Sequence, residues 1–250
     1  MTPPKFDLEK IKYATDATTF EKAVDLYESG KVTQFKEGIG AYAALVIGTK
    51  PYRVSIEARR YGYGYCECYL GKNDTLCKHL VALSLYAVKE GRPLSGEDKR
   101  QTVQVSFSGT LGTLKKTELS AIKKSISGAM RYIKSYEGPS RIWFSYQNSL
   151  SEGCNRLAKI ISDLPVSEQT AGLLVDMLLR LDDRLCRGGV DDSDGTVGGF
   201  IGEVVVMLEE YAKMDQSCIK AFKKLCDRET CFGWEESLVR IVDEGLVEKY

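Results

Sequence analysis

The spacing of apolar side chains predicts a small mixed domain followed by a long helical region. An amphipathic helix is expected over residues 17–29, where apolar residues recur every three or four positions and Gly30 supplies a C-cap. Apolar and alternating runs then predict four strands, Val32–Phe35, Ala41–Ile47, Tyr52–Ala58 and Arg59–Cys68. Glycine-containing turns separate the first three strands, so we expect an antiparallel meander within an α+β fold.

From residue 117 onward the pattern is helical. A first helix is predicted over 117–136, with an apolar stripe formed by Leu119, Ile122, Ile126, Met130 and Ile133. After an aromatic segment at Trp143–Tyr146, further helices are predicted near 150–163, 167–186, 197–213, 216–227 and 233–248, with Ser167 and Asp215 as N-caps. Their stripes must pack on one another, as a short solenoid or a bundle. We therefore expect a domain over 1–92, a linker over 93–116 with a strand-like run at Val103–Phe107, and an α-helical domain over 117–250.

The candidate chemistry is concentrated in a segment that joins the predicted sheet to the next helix. It holds three of the eight cysteines and the only histidine, in the order Cys66, Cys68, Cys77, His79. Three thiolates and one imidazole form a closed tetrahedral set for Zn²⁺, with no vacant position for a substrate. The alternative is a buried thiol cluster with an unrelated histidine. We disfavour it because four such ligands at matched spacing seldom come together by accident.

The spacing of the four residues also predicts which elements hold them. Side chains two apart on a strand point to one face, so Cys66 and Cys68 would reach one ion while Glu67 points away. Two residues turn a helix by about 200°, so Cys77 and His79 cannot share a helical face. We therefore expect Cys77 just before a helix and His79 in its first turn.

This arrangement resembles the SWIM-type zinc fingers, whose motif is Cys-x-Cys, a variable gap and Cys-x-His, usually with alanine three residues after the histidine. The matching residues are Cys66, Cys68, Cys77, His79 and Ala82. The resemblance covers roughly residues 18 to 90, about a third of the chain. It implies zinc binding, a ββα-like core and a module that binds nucleic acid or protein. Family members partner DNA-recombination ATPases or belong to chromatin remodellers and transposases, so partners of that kind are implied as well.

The formal net charge is zero, but it is unevenly distributed. Residues 1–150 carry 23 Lys and Arg against 15 Asp and Glu, a net of +8, and residues 151–250 carry 12 against 20, a net of −8. On the helix predicted over 117–136, a set of cations projects together: Lys116, Lys123, Lys124, Arg131 and Lys134. Such a face could follow a phosphate backbone, although the commoner role of a lysine-rich helix face is solvation.

A second candidate surface lies beside the four metal-ligand candidates. In the predicted fourth strand Tyr61, Tyr63 and Tyr65 would share one face. The surrounding cations are Arg59, Arg60, Lys72 and Lys78. Aromatic rings interleaved with cations are typical of a surface for single-stranded nucleic acid. The other interpretation, slightly favoured for the tyrosines, is that their rings fill the core of a small domain.

The remaining acidic and cysteine-containing segments have simpler interpretations. The loop over 188–195 lacks both end ligands of an EF-hand, so calcium is not expected. Asp192, Ser193 and Asp194 would instead cap the helix that begins near Thr196. The cysteines outside the metal motif are interpreted as buried thiols and not as a second metal site: Cys154, Cys186, Cys218, Cys226 and Cys231.

Neither catalysis nor membrane insertion is expected. The only histidine is assigned to the metal, and no nucleotide-binding glycine loop or deaminase pattern occurs, so we predict a non-catalytic protein without a small-molecule substrate. No apolar stretch is long enough to span a bilayer, and no secretory signal is recognised. The cysteine pattern favours a cytoplasmic setting, or a nuclear one in a eukaryote. Two functions remain: a DNA-binding module, or a protein-interaction adaptor in which zinc is purely structural.

Overall fold

The computed structural model describes residues 3–62, 64–99, 104–139 and 143–247. The chain forms two compact units, Met1–Thr102 and Val103–Tyr250. The first unit contains the sheet and the second is built from helices, which confirms the α+β class with a helical C-terminal region. Within the described ranges, no helix combines the length and the apolar character that crossing a membrane requires.

The described residues of the first unit form a four-stranded antiparallel sheet and five helices. Its strands are β1 (Val32–Gly38), β2 (Ala41–Ile47), β3 (Pro51–Glu57) and β4 (Tyr65–Cys66), which are neighbours in that order. Its helices are α1 (Leu8–Tyr13), α2 (Ala17–Glu28), α3 (Tyr69–Lys72), α4 (Lys78–Lys89) and α5 (Gly96–Lys99). Helix α2 ends where the sequence predicts, and Gly30 follows it with a φ of +65°. The α1 helix, which begins at the N-cap Asp7, was not predicted.

The sheet buries one face against α4, which in turn packs on α2, and leaves the other face open to solvent. Alternation along β2 shows this pattern, because Tyr42, Ala44 and Val46 are buried whereas Ala43 is exposed. The apolar residues of α4 pack beneath the buried face, and the core also takes in the side chains of Cys66, Cys68 and Cys77. The metal-ligand candidates are thus part of the hydrophobic core of this unit.

A β-bulge changes the side-chain pattern of β1. Gln34 has a φ of +50°, and the pairing with β2 shifts between Thr33 and Lys36. The extra residue turns Phe35 toward the core, where its ring lies 4.9 Å from that of Tyr86. Lys36 then projects on the open face opposite Ala43, although simple alternation from Thr33 would have placed it inside.

The predicted fourth strand is wrong over most of its length. Among its described residues, Tyr65–Cys66 alone forms a strand paired with β3, and the chain forms a turn at Tyr61 and Gly62. Tyr61 is 3% exposed, packs 5.3 Å from the ring of Phe6, and donates a hydrogen bond from its hydroxyl to a backbone carbonyl of α1. Burial of this ring against α1 prevents a continuous strand, so Tyr61 and Tyr65 do not share a face.

The second unit consists of helices around one apolar core. They are α6 (Lys116–Ala129), α7 (Trp143–Ser162), α8 (Glu168–Cys186), α9 (Thr196–Met214), α10 (Ile219–Phe222) and α11 (Glu236–Val247), with short 3-10 turns at Met130–Tyr132, Gln216–Cys218 and Lys223–Leu225. The aromatic segment expected before the helices forms the start of α7. The helix predicted over 216–227 is broken into α10 and two 3-10 turns.

The residues expected to form the linker pack with one unit or the other. Leu94 belongs to the core of the first unit, whereas Val105 and Leu114 pack against the core of the second. Residues 104–107 of the run predicted as a strand form no strand, and Val103 lies outside the described residues. Farther along, Leu111 forms an isolated parallel bridge with Val166.

Several helix ends in the second unit follow their predicted caps. The Ser167 hydroxyl accepts a hydrogen bond from the Thr170 amide, and Asp215 caps the turn at Gln216–Cys218. The carboxylate of Asp192 accepts from the amides of Val197 and Gly198 at 2.7 and 2.8 Å, which confirms its predicted capping role. Asp194 accepts from the Thr196 amide at 3.1 Å.

Helix α6 ends seven residues before its predicted end. The guanidinium of Arg184, on α8, donates hydrogen bonds to the carbonyls of Met130 and Ile133. These bonds satisfy acceptors that continued helix would otherwise have used. The predicted stripe is still directed inward, with Ile126, Met130 and Ile133 fully buried.

Of the five cysteines outside the metal motif, only two are buried thiols as predicted. Cys154 and Cys218 are buried, and burial raises the pKa of both thiols, that of Cys218 to about 12. Cys226 is exposed. Cys186 and Cys231 form a disulfide, with their Cα atoms 5.7 Å apart, because α8 and the loop before α11 meet there.

Candidate metal centre

The four predicted ligands come together in the first unit. Cys66 ends β4, Cys68 is the N-cap of α3, Cys77 is the N-cap of α4, and His79 lies in the first turn of α4. All four side chains are buried, and their donor atoms lie within 4.8 Å of one another. The predicted placement of Cys77 and His79 is confirmed. Cys68 does not extend the strand as predicted, and the turn into α3 brings its sulfur to the cluster instead.

The distances fit a tetrahedral ion bound through the Nδ1 atom of His79. This nitrogen lies 3.8 Å from the Cys66 sulfur and 3.9 Å from the Cys77 sulfur. With metal bonds of about 2.3 Å to sulfur and about 2.0 Å to nitrogen, a tetrahedral Zn²⁺ would place these atoms roughly 3.5 Å apart. Small inward shifts of the side chains would therefore complete the site.

The opposite side of the His79 ring is closely packed. Its centroid lies 4.6 Å from that of Tyr52, and its Nε2 atom is buried without a hydrogen-bond partner among the described residues. A Cβ atom added to Gly48 would lie 2.7 Å from Nε2. Gly48 therefore leaves the space that lets the ring present Nδ1 to the cysteines. The sequence shows Gly48 only as part of a turn, so its role at the site was missed.

A second glycine, Gly71, lets the backbone of α3 lie close against Cys66. The amide of Gly71 donates a hydrogen bond to the Cys68 sulfur at 3.3 Å. A Cβ atom at this position would lie 2.5 Å from the Cys66 Cβ and 2.6 Å from the Cys66 carbonyl oxygen. The Gly71 amide is thus directed at one sulfur of the cluster.

The sulfurs of the cluster interact strongly with each other. A hydrogen bond with Cys66 lowers the pKa of the Cys77 thiol to about 4, although burial opposes that shift. The same hydrogen bond, together with burial, raises the pKa of Cys66. A divalent metal that binds both sulfurs must displace the protons that they carry.

The candidates for nucleic-acid contact divide between the two units. In the first unit Arg59, Arg60 and Lys72 are exposed and Lys78 is half-buried. Tyr61 is unavailable for stacking because its ring is in the core, which corrects the prediction for this residue. Tyr63 lies outside the described residues.

The cations predicted for the basic helix face are exposed in the second unit. Lys116, Lys123 and Lys124 lie on α6. Arg131 lies in the following 3-10 turn and Lys134 beyond it, so the last two do not continue the α-helical face as predicted. The continuous basic stripe is therefore shorter than the sequence indicated.

Among the described residues, Tyr65 and Tyr69 are exposed aromatic residues next to metal-ligand candidates in the sequence. Tyr65 is 56% exposed on β4, and Tyr69 is 82% exposed on α3. Tyr69 was not predicted as part of a candidate surface. The sequence pattern placed Tyr65 on an aromatic face without distinguishing it from the buried Tyr61. The available signal was that Tyr65 and Tyr69 directly adjoin Cys66 and Cys68 in the sequence. The side chains of these cysteines must turn inward.

Another group of potential ligands lies in the second unit, at Asp182, Cys186 and Cys231. The two sulfurs are joined in the disulfide. The Oδ1 atom of Asp182 accepts hydrogen bonds from the Cys231 amide and the Trp234 indole, at 2.9 and 3.0 Å. This group therefore anchors the loop before α11 and does not form a metal site.

Comparison of the chain with models of known protein families, with curated proteins and with solved structures gave no match.

Proposed function

We propose that this chain is a zinc-binding module of the SWIM type that binds nucleic acid, DNA in the first instance, with zinc as a structural and non-catalytic centre. The observation that carries the proposal is the buried convergence of Cys66, Cys68, Cys77 and His79. Thiolates and imidazole are the ligands that Zn²⁺ prefers in closed structural sites. When bound, the ion would link β4, α3 and α4.

The chemistry of the donors supports a structural role for the metal. Three thiolates and one imidazole fill a tetrahedral shell, so no position is left for a water molecule or a substrate. The donors are buried in the core of the first unit, where a bound ion would be shielded from solvent. The protein residues hold and orient the ion, and the ion contributes folding free energy.

Nucleic-acid binding is supported by the distribution of exposed charge. The first 150 residues carry a net charge of +8, and the exposed cations include Arg59, Lys72, Lys123 and Lys124. Zn²⁺ with three thiolates contributes a net of −1, so the metal cluster itself does not attract phosphate. Contacts to the backbone of DNA would therefore come from these side chains, and the affinity would depend strongly on salt.

The second candidate is a protein-interaction adaptor in which zinc only maintains the fold. The net charge of −8 over residues 151–250 favours this function, because an acidic region could recruit a basic partner. An ATPase of DNA recombination or remodelling is the kind of partner that the SWIM resemblance implies. Both functions use the same metal centre, so the metal alone does not distinguish them.

Binding of a labelled single-stranded DNA oligonucleotide to the zinc-loaded full chain tests the proposal. We expect measurable affinity at about 50 mM salt and a loss of at least tenfold at about 200 mM, because several phosphate contacts release counterions. Replacing Lys123 and Lys124 by Glu should weaken DNA binding relative to the wild-type chain. Replacing the acidic Asp227 by Asn, in the same unit, controls for a general effect of substitution. Absence of binding at low salt would refute the nucleic-acid proposal and leave the adaptor.

A further inference from the structure

The open face of the sheet carries an ordered row of side chains. Cross-strand pairing places Tyr65 opposite Ser55, Ser55 opposite Ala43, and Ala43 opposite Lys36. The row therefore runs from an aromatic ring on β4, across two small side chains, to a cation on β1. Arg53, two residues from Ser55 on β3, is exposed beside this row.

The bulge in β1 is what completes the row. It directs Phe35 into the core and brings Lys36 into register with Ala43. In the absence of the bulge, strict alternation would expose an aromatic side chain on β1 and bury the lysine. The open face consequently has its ring at one end and its cation at the other.

We infer that this row of Tyr65, Ser55, Ala43 and Lys36, which we call the sheet row, binds a segment of single-stranded nucleic acid. One base stacks on Tyr65, and Lys36 and Arg53 contact the phosphates on either side. The inference rests on the proposed nucleic-acid function and names the surface and the form of nucleic acid that it requires.

The shape of the sheet row fits a strand with unpaired bases. Neighbouring strands lie about 4.8 Å apart, so Tyr65 and Lys36 are separated by three spacings, roughly 14 Å. The side chains of Ser55 and Ala43, which lie between Tyr65 and Lys36, are small. They leave room for a flat base to lie against the sheet. The bases of a duplex are already stacked on each other, so an exposed ring on an open sheet has access only to the bases of a single strand.

The segment that contains the sheet row carries more cations than anions, although Glu67 lies beside the row and its carboxylate accepts a hydrogen bond from the Arg53 amide. Residues 31–78 carry eight Lys and Arg against four Asp and Glu, a net of +4. A bound Zn²⁺ with three thiolates changes this by −1, so the region stays at +3. The positive charge favours a polyanion as the occupant. A protein surface with few acidic residues would gain less from it.

The test compares Tyr65→Ala with Tyr69→Ala in the zinc-loaded full chain. Both tyrosines are exposed and close to the metal cluster, but only Tyr65 belongs to the sheet row. We expect Tyr65→Ala to weaken binding of a single-stranded oligonucleotide by about tenfold, the order of one stacked base, and Tyr69→Ala to change it less than twofold. Tyr65→Phe should retain the affinity and Tyr65→Leu should lose it, because a leucine keeps apolar area without a stacking ring.

A second pair of variants tests the cation at the other end of the row. Lys36→Ala should weaken binding and lower its salt dependence, whereas Lys31→Ala, just before β1, should do neither. Unchanged zinc content and unchanged circular dichroism would show that each variant is folded. Oligonucleotide binding that is indifferent to Tyr65 and Lys36 would overturn the sheet row while leaving the proposed function intact. A wild-type chain that binds no oligonucleotide would overturn both.

Discussion

The hydrophobic cores of the two units differ in the side chains that they contain. The second unit buries long apolar stripes from α6 to α11, with Leu174, Leu208 and Phe222 fully enclosed. The first unit buries a shorter set of apolar residues together with three cysteine sulfurs and a histidine ring. Both units bury apolar surface, but the first also places four potential metal ligands at its centre.

The difference shows why the proposed metal matters to one unit only. Buried thiols and a buried imidazole contribute little to a core unless they are bound or hydrogen-bonded. An ion that links the end of β4, the start of α3 and the start of α4 would turn them into a cross-link between three elements. The second unit also buries polar side chains, but Glu152 and Asp182 have hydrogen-bond partners within the unit and need no metal.

The largest effect should come from removing one metal ligand. We expect Cys77→Ser to unfold the first unit while the helices of the second stay intact, since structural zinc contributes about 10 kcal/mol or more to the folding of small zinc domains. Limited proteolysis with mass spectrometry would locate the cleavage sites, which should fall within residues 1–102. Cys226→Ser, at an exposed cysteine, is the control and should leave the pattern unchanged. A fully protected first unit in Cys77→Ser would count against a structural metal.

A smaller effect, on the second unit instead of the first, should follow the creation of a cavity in the second unit. Leu208→Ala removes a fully buried side chain from α9 and should lower the free energy of unfolding of that unit by about 2–5 kcal/mol. Val206→Ala, two residues away and 59% exposed, should change it by less than about 0.5 kcal/mol. Zinc content should remain at the wild-type value in both. Loss of zinc from Leu208→Ala would mean that the two units do not fold independently.

The smallest expected effect concerns the space beside His79. Gly48→Ala places a Cβ 2.7 Å from Nε2, so the ring must leave the position in which its Nδ1 atom faces the cysteines. We expect about a tenfold loss of zinc affinity, comparable to the effect of disturbing a group that orients a metal ligand. Competition with a chromophoric chelator measures it. Gly62→Ala, where an added Cβ has no neighbour within 4 Å, serves as the control. Equal affinities for the two variants would show that Gly48 does not position the ring.

The parts of the fold that could be predicted depend on local patterns. The spacing of the four ligands places Cys77 before a helix and His79 in its first turn, because residues two apart cannot share a helical face. The cap at Asp192 and the helices from α7 to α9 follow from apolar periodicity and short-range hydrogen bonds. These features need no information from distant parts of the chain.

The parts that were missed depend on contacts between distant residues. Tyr61 and Tyr65 look alike in sequence, and only the packing of α1 on the first ring makes one buried and the other exposed. The end of α6 is set by Arg184, more than 50 residues farther along the chain. The room that Gly48 leaves for His79 depends on a turn brought to the start of α4 by the sheet.

Nucleic-acid binding, zinc identity and the SWIM resemblance stay predictions that rest on motif, burial and charge. They share one premise, which is that Cys66, Cys68, Cys77 and His79 bind a metal ion together. Elemental analysis of the purified full chain, kept free of added metal and chelator, measures this premise directly. We predict close to one zinc per chain, and a value near zero for Cys77→Ser. A wild-type chain that is folded in both units but contains no bound metal would contradict the account.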